Sequence, residues 1–173
     1  MKVSALAGLT MIGLIVATGA FGADPPAASS LPVIIVSGAG PPASVTAKDL
    51  AELPMTKISV SFEGEHGAHH ATFEGPLLWN VLAHFGAIGD AKPRDQAHLA
   101  VLLTGRDGYT ATLALGEVAP AFEGKQVILA ERTDGYAIDP AHFRIVVPSD
   151  RRGARSVYDL VRIDVVTPSA ARH

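Results

Sequence analysis

Three histidines stand close together at His66, His69 and His70. Imidazole nitrogens suit zinc, copper or iron, and three of them can leave a coordination position open. On a hairpin, however, His69 and His70 point to opposite faces, and the bland reading is a solvated pair of loop histidines. A second group, Arg151, Arg152 and Arg155, follows Pro148-Ser149-Asp150 and surrounds Gly153. Guanidinium forks recognise oxyanions of the phosphate or sulfite type, and a glycine turn adds backbone N–H donors. The competing reading is a solvated loop whose arginines pair with Asp150 and Asp159. Arg106-Asp107-Gly108-Tyr109 has the chemistry of a tight hairpin turn, and a structural role is the better reading. His84 and His98 lie in apolar contexts and read as packed or surface residues. Glu63 and Glu65 share one strand face, with nothing in the sequence to pair them with a cleft. The chain has no cysteine. That excludes disulfides, thiolate metal sites, cysteine nucleophiles and lipid attachment at a mature N-terminal cysteine. No Gly-rich phosphate loop, nucleophile elbow or His-Glu metalloprotease signature occurs either. The residues alone name no reaction and no catalytic group.

These groups are set among short strands. Val33–Val36 is an apolar run that ends at Gly38, Gly40, Pro41 and Pro42, a buried strand meeting a turn. Thr46 precedes Asp49 at the capping-box spacing, and Leu50, Leu53 and Pro54 complete a short helix. Ile58, Val60 and Phe62 alternate with Ser59 and Ser61, as a half-buried strand does. Glu63 to His70 is then a hairpin tip, with Phe73 ending the return strand. Pro76 opens a helix carrying Leu77, Leu78, Val81, Leu82 and Phe85, which Gly86 closes. A polar loop to Gln96 precedes a second hairpin, Leu99–Leu103 and Tyr109–Leu113. Val127–Ala130 and Phe143–Val147 are further strands on either side of a turn at Asp134-Gly135. Val157–Val166, alternating through Val161, Ile163 and Val165, ends the domain in a strand. Many short strands, two clear helices and no regular βαβ alternation predict an α+β domain that is mostly β.

Lys2 followed by the uncharged apolar stretch Ala5–Ala20 has the form of a secretory signal, with Ala20 and Gly22 as small residues for cleavage. The expected organisation is a signal peptide over 1–23, a Pro/Ala/Ser spacer over 24–32, one domain over 33–167 and a tail over 168–173. The predicted location is periplasmic or secreted, with no stable membrane insertion after cleavage. With 48% hydrophobic and 18% charged residues, the 173-residue chain can bury a core. Its formal charge of −3 argues against capture of nucleic acid, which needs a basic surface to displace counterions.

Five segments stand in an order that resembles the oxidoreductase molybdopterin-binding domain, the fold of sulfite oxidase. They are "VTAKDLAELP" from Val45, "ATFEGPLLWNVLAHFG" from Ala71, "LLTGRDGYTATLAL" from Leu102, "VILAERTDGYAID" from Val127 and "FRIVVPSDRRGARSVYDLVRIDVV" from Phe143. The resemblance spans nearly all of residues 33–166. It implies layered mixed sheets, two or three short helices and a pterin site built from loops. In catalytic relatives, molybdenum is held by the pterin dithiolene and one cysteine, and it transfers an oxygen atom. Lys57–Glu63 resembles the stretch supplying that cysteine, but here it reads "KISVSFE". Arg155 and Ser156 match a stretch in which relatives often carry a lysine to the pterin phosphate, and Tyr158 stands in its place.

Three functional readings follow. The first is a non-catalytic or accessory exported module binding a small anionic ligand or a protein partner. The second is a molybdopterin-dependent oxidoreductase of the sulfite oxidase type, with Arg151, Arg155 and Ser156 on the pterin and Ser61 as an alkoxide ligand to the metal. The third is a periplasmic metal-binding protein using His66, His69 and His70. Loss of the soft thiolate favours the first.

Overall fold

The computed structural model describes residues 34–64 and 67–168. The expected signal peptide, the spacer, His66, Glu65 and residues 169–173 lie outside the described residues. The rest is an α+β domain, mostly β, in layered mixed sheets, as the sequence predicts.

The first sheet has five strands in the order β2 (Ala43–Val45), β1 (Ile34–Ser37), β11 (Leu160–Val166), β5 (Ala100–Gly105) and β6 (Thr110–Ala114). The C-terminal strand therefore enters the middle of the sheet, parallel to β1 with Val36 opposite Ile163 and antiparallel to β5. The Ser37 hydroxyl donates to the Asp164 carboxylate across that parallel pair. Ile34, Val36, Val101, Leu103, Leu113 and Ile163 bury their side chains in the main core. Helix α1 (Ala47–Ala51) is started by the expected capping box: the Asp49 N–H donates to Thr46 Oγ1 at 3.2 Å, and the Thr46 N–H donates to the Asp49 carboxylate at 2.8 Å. Leu50 is thereby turned fully into the core.

The second sheet runs β3 (Met55–Gly64), β4 (Gly67–Pro76), β8 (Arg132–Thr133), β9 (Tyr136–Ala137). β3 and β4 form one long hairpin in which Ser61 faces His70 and Phe62 faces His69. Its inner face carries Ile58, Val60 and Phe73, which pack with Ile128, Ala130 and Val146 in a smaller core. Those last residues belong to β7 (Ile128–Ala130) and β10 (Arg144–Val146), an antiparallel pair lodged between the two cores. Helix α2 (Leu78–His84) buries Leu78, Val81 and Leu82, and Gly86 leaves it at φ +72°.

Several boundaries differ from the sequence expectation, each for a local reason. β4 continues past Phe73 to Pro76, because Phe73 and Glu74 also pair with β8. Pro76 closes that strand, and the helix starts two residues later. The polar loop before Gln96 contains a short helix α3 (Pro93–Gln96), opened by proline at its first position. Another short helix, α4 (Leu115–Val118), follows β6, with Glu117 capping the Ala114 N–H at 3.1 Å. The last strand begins at Leu160 rather than Val157, since Asp159 takes φ +47°. A register shift between Leu160 and Arg162 then puts Leu160 and Ile163 inward together, which strict alternation does not allow.

Candidate functional site

Strand β10 follows the two-residue period: Ile145 enters the main core, so Arg144 and Val146 face the smaller one. That places a guanidinium where the surroundings are apolar. The Arg144 Cζ lies over the Phe73 ring, 5.0 Å from its centroid, and over the Tyr158 ring, 3.7 Å from its centroid, so the group contacts two aromatic rings. Its Nε is buried and has no hydrogen-bond partner. Among the described residues no carboxylate pairs with it. Burial pushes the guanidinium below its ordinary range, with the Tyr158 hydroxyl acting against that shift. Glu131, one residue past Arg144's cross-strand partner Ala130, forms no ion pair with it; burial raises its carboxyl above the ordinary value, and its Oε1 is itself unpartnered. A half-buried cation with an orphaned, buried N–H is an arrangement that an anion can complete.

The three arginines singled out from the sequence are placed differently from one another. Arg155 is held by two carboxylates of its own chain. Its Nε and Nη2 donate to Asp150 at 2.9 and 2.7 Å, and its Nη1 donates to Glu117 at 3.0 and 3.2 Å. Lys125 completes the cluster, 3.0 Å from Glu117 and 3.3 Å from Glu123. Burial opposes the ionised form of Glu117, but Lys125, the Ala114 N–H and Arg155 outweigh it and hold its carboxyl below the usual range. The Asp150 carboxylate, through its hydrogen bonds, raises the Arg155 guanidinium further above its already high ordinary value. Arg151 is almost fully exposed, 3.8 Å from Glu63, while its carbonyl accepts the Glu63 N–H at 2.8 Å. Arg152 is exposed. Ser156 is buried, and its hydroxyl accepts the Val147 N–H at 3.1 Å.

This bond closes the neck of the loop Pro148–Arg155, which is also tied to the turn before β6 by the Tyr109 hydroxyl donating to the Ala154 carbonyl at 2.7 Å. Beside the loop lies a small cleft of about 240 Å³, lined by Asp107, Tyr109, Gly153, Ala154, Ser156 and Tyr158 among others. The Asp107 carboxylate accepts the Tyr109 N–H at 2.9 Å and shapes the expected turn, where Gly108 takes φ +84°.

The hairpin histidines present a different surface. His69 and His70 are exposed on β4, and alternation sends them to opposite faces. Among the described residues no group of three or more His, Asp or Glu is placed to hold a metal ion. Ser61 is exposed beside His70 in a shallow trough shared with Ser59, Thr72 and Asp134. His84 and His98 are exposed, His84 edge-on to Phe85 at 4.8 Å. Arg144 itself did carry a signal in the sequence: it is the single charge inside the apolar run "FRIVV".

No family model matches the sequence, and no curated protein does. Among solved structures, the sulfane dehydrogenase SoxCD from Paracoccus pantotrophus superposes with a TM-score of 0.62 at 20% identity. The fold is sulfite-oxidase-like. The superposition covers 78% of this chain and 38% of that one, so the chain spans well under half of the neighbour's length. At this identity the likeness is one of fold, and any activity has to be argued from the site.

Proposed function

We propose that this chain is an exported, non-catalytic accessory module that uses a sulfite-oxidase-like fold to hold a small anionic ligand. The observation that carries the reading is Arg144: a half-buried guanidinium against the rings of Phe73 and Tyr158, with a buried, unpartnered Nε and no carboxylate of its own. An unpaired desolvated charge is costly to a fold, and an anion that binds there offsets the cost. Lys2 and the apolar Ala5–Ala20 segment support export.

The residues do not fit a molybdopterin centre of the sulfite oxidase type. A thiol ligand is missing from the whole sequence. Ser61, at the stretch resembling the one that supplies it, sits exposed on a hairpin face, and a serine hydroxyl is a poor substitute for a soft thiolate. Arg155 and Ser156, which match the pterin-contacting stretch, spend their polar groups on Asp150, Glu117 and the Val147 N–H.

The test is calorimetric titration of the mature protein with inorganic phosphate and with sulfate, beside Arg144→Gln. Binding in the wild type that falls about tenfold to a hundredfold in the variant, the loss of one charge-assisted contact, supports the reading. The ligand-free variant should melt close to the wild type, because losing the contacts with the Phe73 and Tyr158 rings is offset by removing a half-buried charge that has no counter-ion. Equal binding by the two proteins, or none by the wild type, contradicts the proposal.

A further inference from the structure

We propose that the outer edge of β3 is an interface between two copies of this chain, joined as antiparallel strands over Met55–Ser61. In the second sheet β3 stands at the edge, and β4 pairs with it on one side along its whole length without a register break. The direction of its remaining groups follows from one bond. The Glu63 N–H points away from β4 and donates to the Arg151 carbonyl at 2.8 Å. In an antiparallel strand the outward positions recur every second residue, so Ser61, Ser59, Lys57 and Met55 also turn their N–H and C=O groups away from β4. Pro76, opposite Met55, agrees with this pattern, since it has no N–H to give to a ladder bond there. Among the described residues these four positions make no backbone hydrogen bond on that side. A long open edge is a template for a further strand, and proteins usually blunt one with proline, a bulge or several charges. Between Met55 and Ser61 there is no proline, no bulge and a single charge, Lys57, which Glu74 already holds at 2.9 Å. The other strands at sheet edges are far shorter: β2 has 3 residues, β6 has 5 and β9 has 2.

The occupant that fits this edge is the same strand running the other way. Ile58 and Val60 face the smaller core, while Lys57, Ser59 and Ser61 are exposed on the opposite face. An antiparallel copy keeps that division when the two-fold axis passes through a residue, because apolar positions then stand opposite apolar-face positions. Two features of the chain select the residue. At Glu63 the edge is already taken by Arg151, and β3 begins at Met55 directly after Pro54. An axis at Ile58 uses the open window Met55–Ser61 and nothing outside it. Met55 then lies opposite Ser61 of the second copy and Lys57 opposite Ser59 of the second copy, so all four outward positions enter ladder bonds. Ile58 meets its own counterpart on the apolar face, and no charge stands directly opposite a like charge. Centring on Lys57 instead opposes the two lysines, and centring on Ser59 drives Met55 of the second copy into the place of Arg151. The two four-stranded sheets become one continuous sheet across the axis.

The experiment follows association of the mature protein by sedimentation velocity over a concentration series, with circular dichroism of each variant. The wild type should be a dimer at micromolar concentration. Ser59→Lys sets a lysine directly opposite Lys57 of the second copy, twice per dimer, and should weaken association about twofold to thirtyfold, the range for two cross-strand charge pairs. Ser59→Glu sets a carboxylate there and should strengthen association by a similar factor. Ser59 is exposed, so both variants keep the fold of the single chain. Ser59→Pro removes one outward N–H, which an edge strand tolerates, and should give a folded monomer; where it unfolds, the opposed lysine and glutamate variants decide. The register has a test of its own, because the chain has no cysteine. Under mild oxidation Met55→Cys and Ser61→Cys should each remain uncross-linked alone and form a disulfide-linked dimer when mixed, the opposed Cα atoms lying about 5.5 Å apart. A wild type that stays monomeric throughout the series overturns the proposal, as does a dimer that responds alike to Ser59→Lys and Ser59→Glu. Cross-linking of either cysteine variant by itself as fast as in the mixture overturns the register centred on Ile58.

Discussion

At the scale of single residues, what separates the arginines of this chain is whether the protein has already matched their charge. Arg155 is matched twice, by Asp150 and Glu117, and its side chain is only about a third exposed. Arg144 is matched by nothing among the described residues. The two should respond oppositely to truncation. Arg155→Ala leaves Glu117 and Asp150 without their shared partner and should cost about 1–2 kcal/mol at neutral pH, a value reduced by solvent screening. The pH dependence has a definite sign. Glu117 has its carboxyl held below the ordinary value of 4.5, so the stability it contributes is present above that value and is lost as pH falls through the lowered one. Thermal melts of wild type and Arg155→Ala should therefore differ most near pH 7 and converge in acid. A difference that stays constant down to pH 3 would mean that the ion cluster contributes nothing.

At the scale of elements, the position of Arg144 depends on how closely β4 approaches β7. Gly75 makes that approach: a Cβ there would run into the Leu129 carbonyl. The nearby Leu78 N–H donates to the Val127 carbonyl at 2.8 Å, fixing the start of α2 on the residue that leads into β7. Gly75→Ala should thus push the hairpin away from β7 and destabilise the fold by about 3 kcal/mol or more, the range of severe overpacking. Denaturant unfolding measures this, and a variant as stable as the wild type would show that the two strands are not packed as described. These elements were unequally legible from sequence. The capping box at Thr46 and Asp49, the alternation of Ile58, Val60 and Phe62, and the Asp-Gly turn at Gly108 are local signals, and each forms. α3, α4 and the two-residue strands β8 and β9 went unread because they are shorter than one clear hydrophobic period. The bulge near Leu160 was invisible for another reason: it depends on the register against β5 rather than on the sequence of β11 itself.

At the scale of the molecule, the order of segments resembling the molybdopterin-binding domain anticipated the sulfite-oxidase-like fold, since order and spacing survive when single positions drift. Insertion of β11 between β1 and β5 is a non-local fact that no window of sequence contains. The candidate site was less legible still. Clustering drew attention to Arg151, Arg152 and Arg155, yet a half-buried charge is recognised by what surrounds it, and Phe73 lies some seventy residues before Arg144 while Tyr158 follows it across the intervening loop.

The central claim is that this fold serves here as an anion-binding module without molybdenum chemistry. Its most direct test is elemental and pterin analysis of the protein purified from its native compartment. The account predicts molybdenum and pterin far below one per chain. Close to one molybdenum and one pterin per chain, lost in Ser61→Ala, would contradict it.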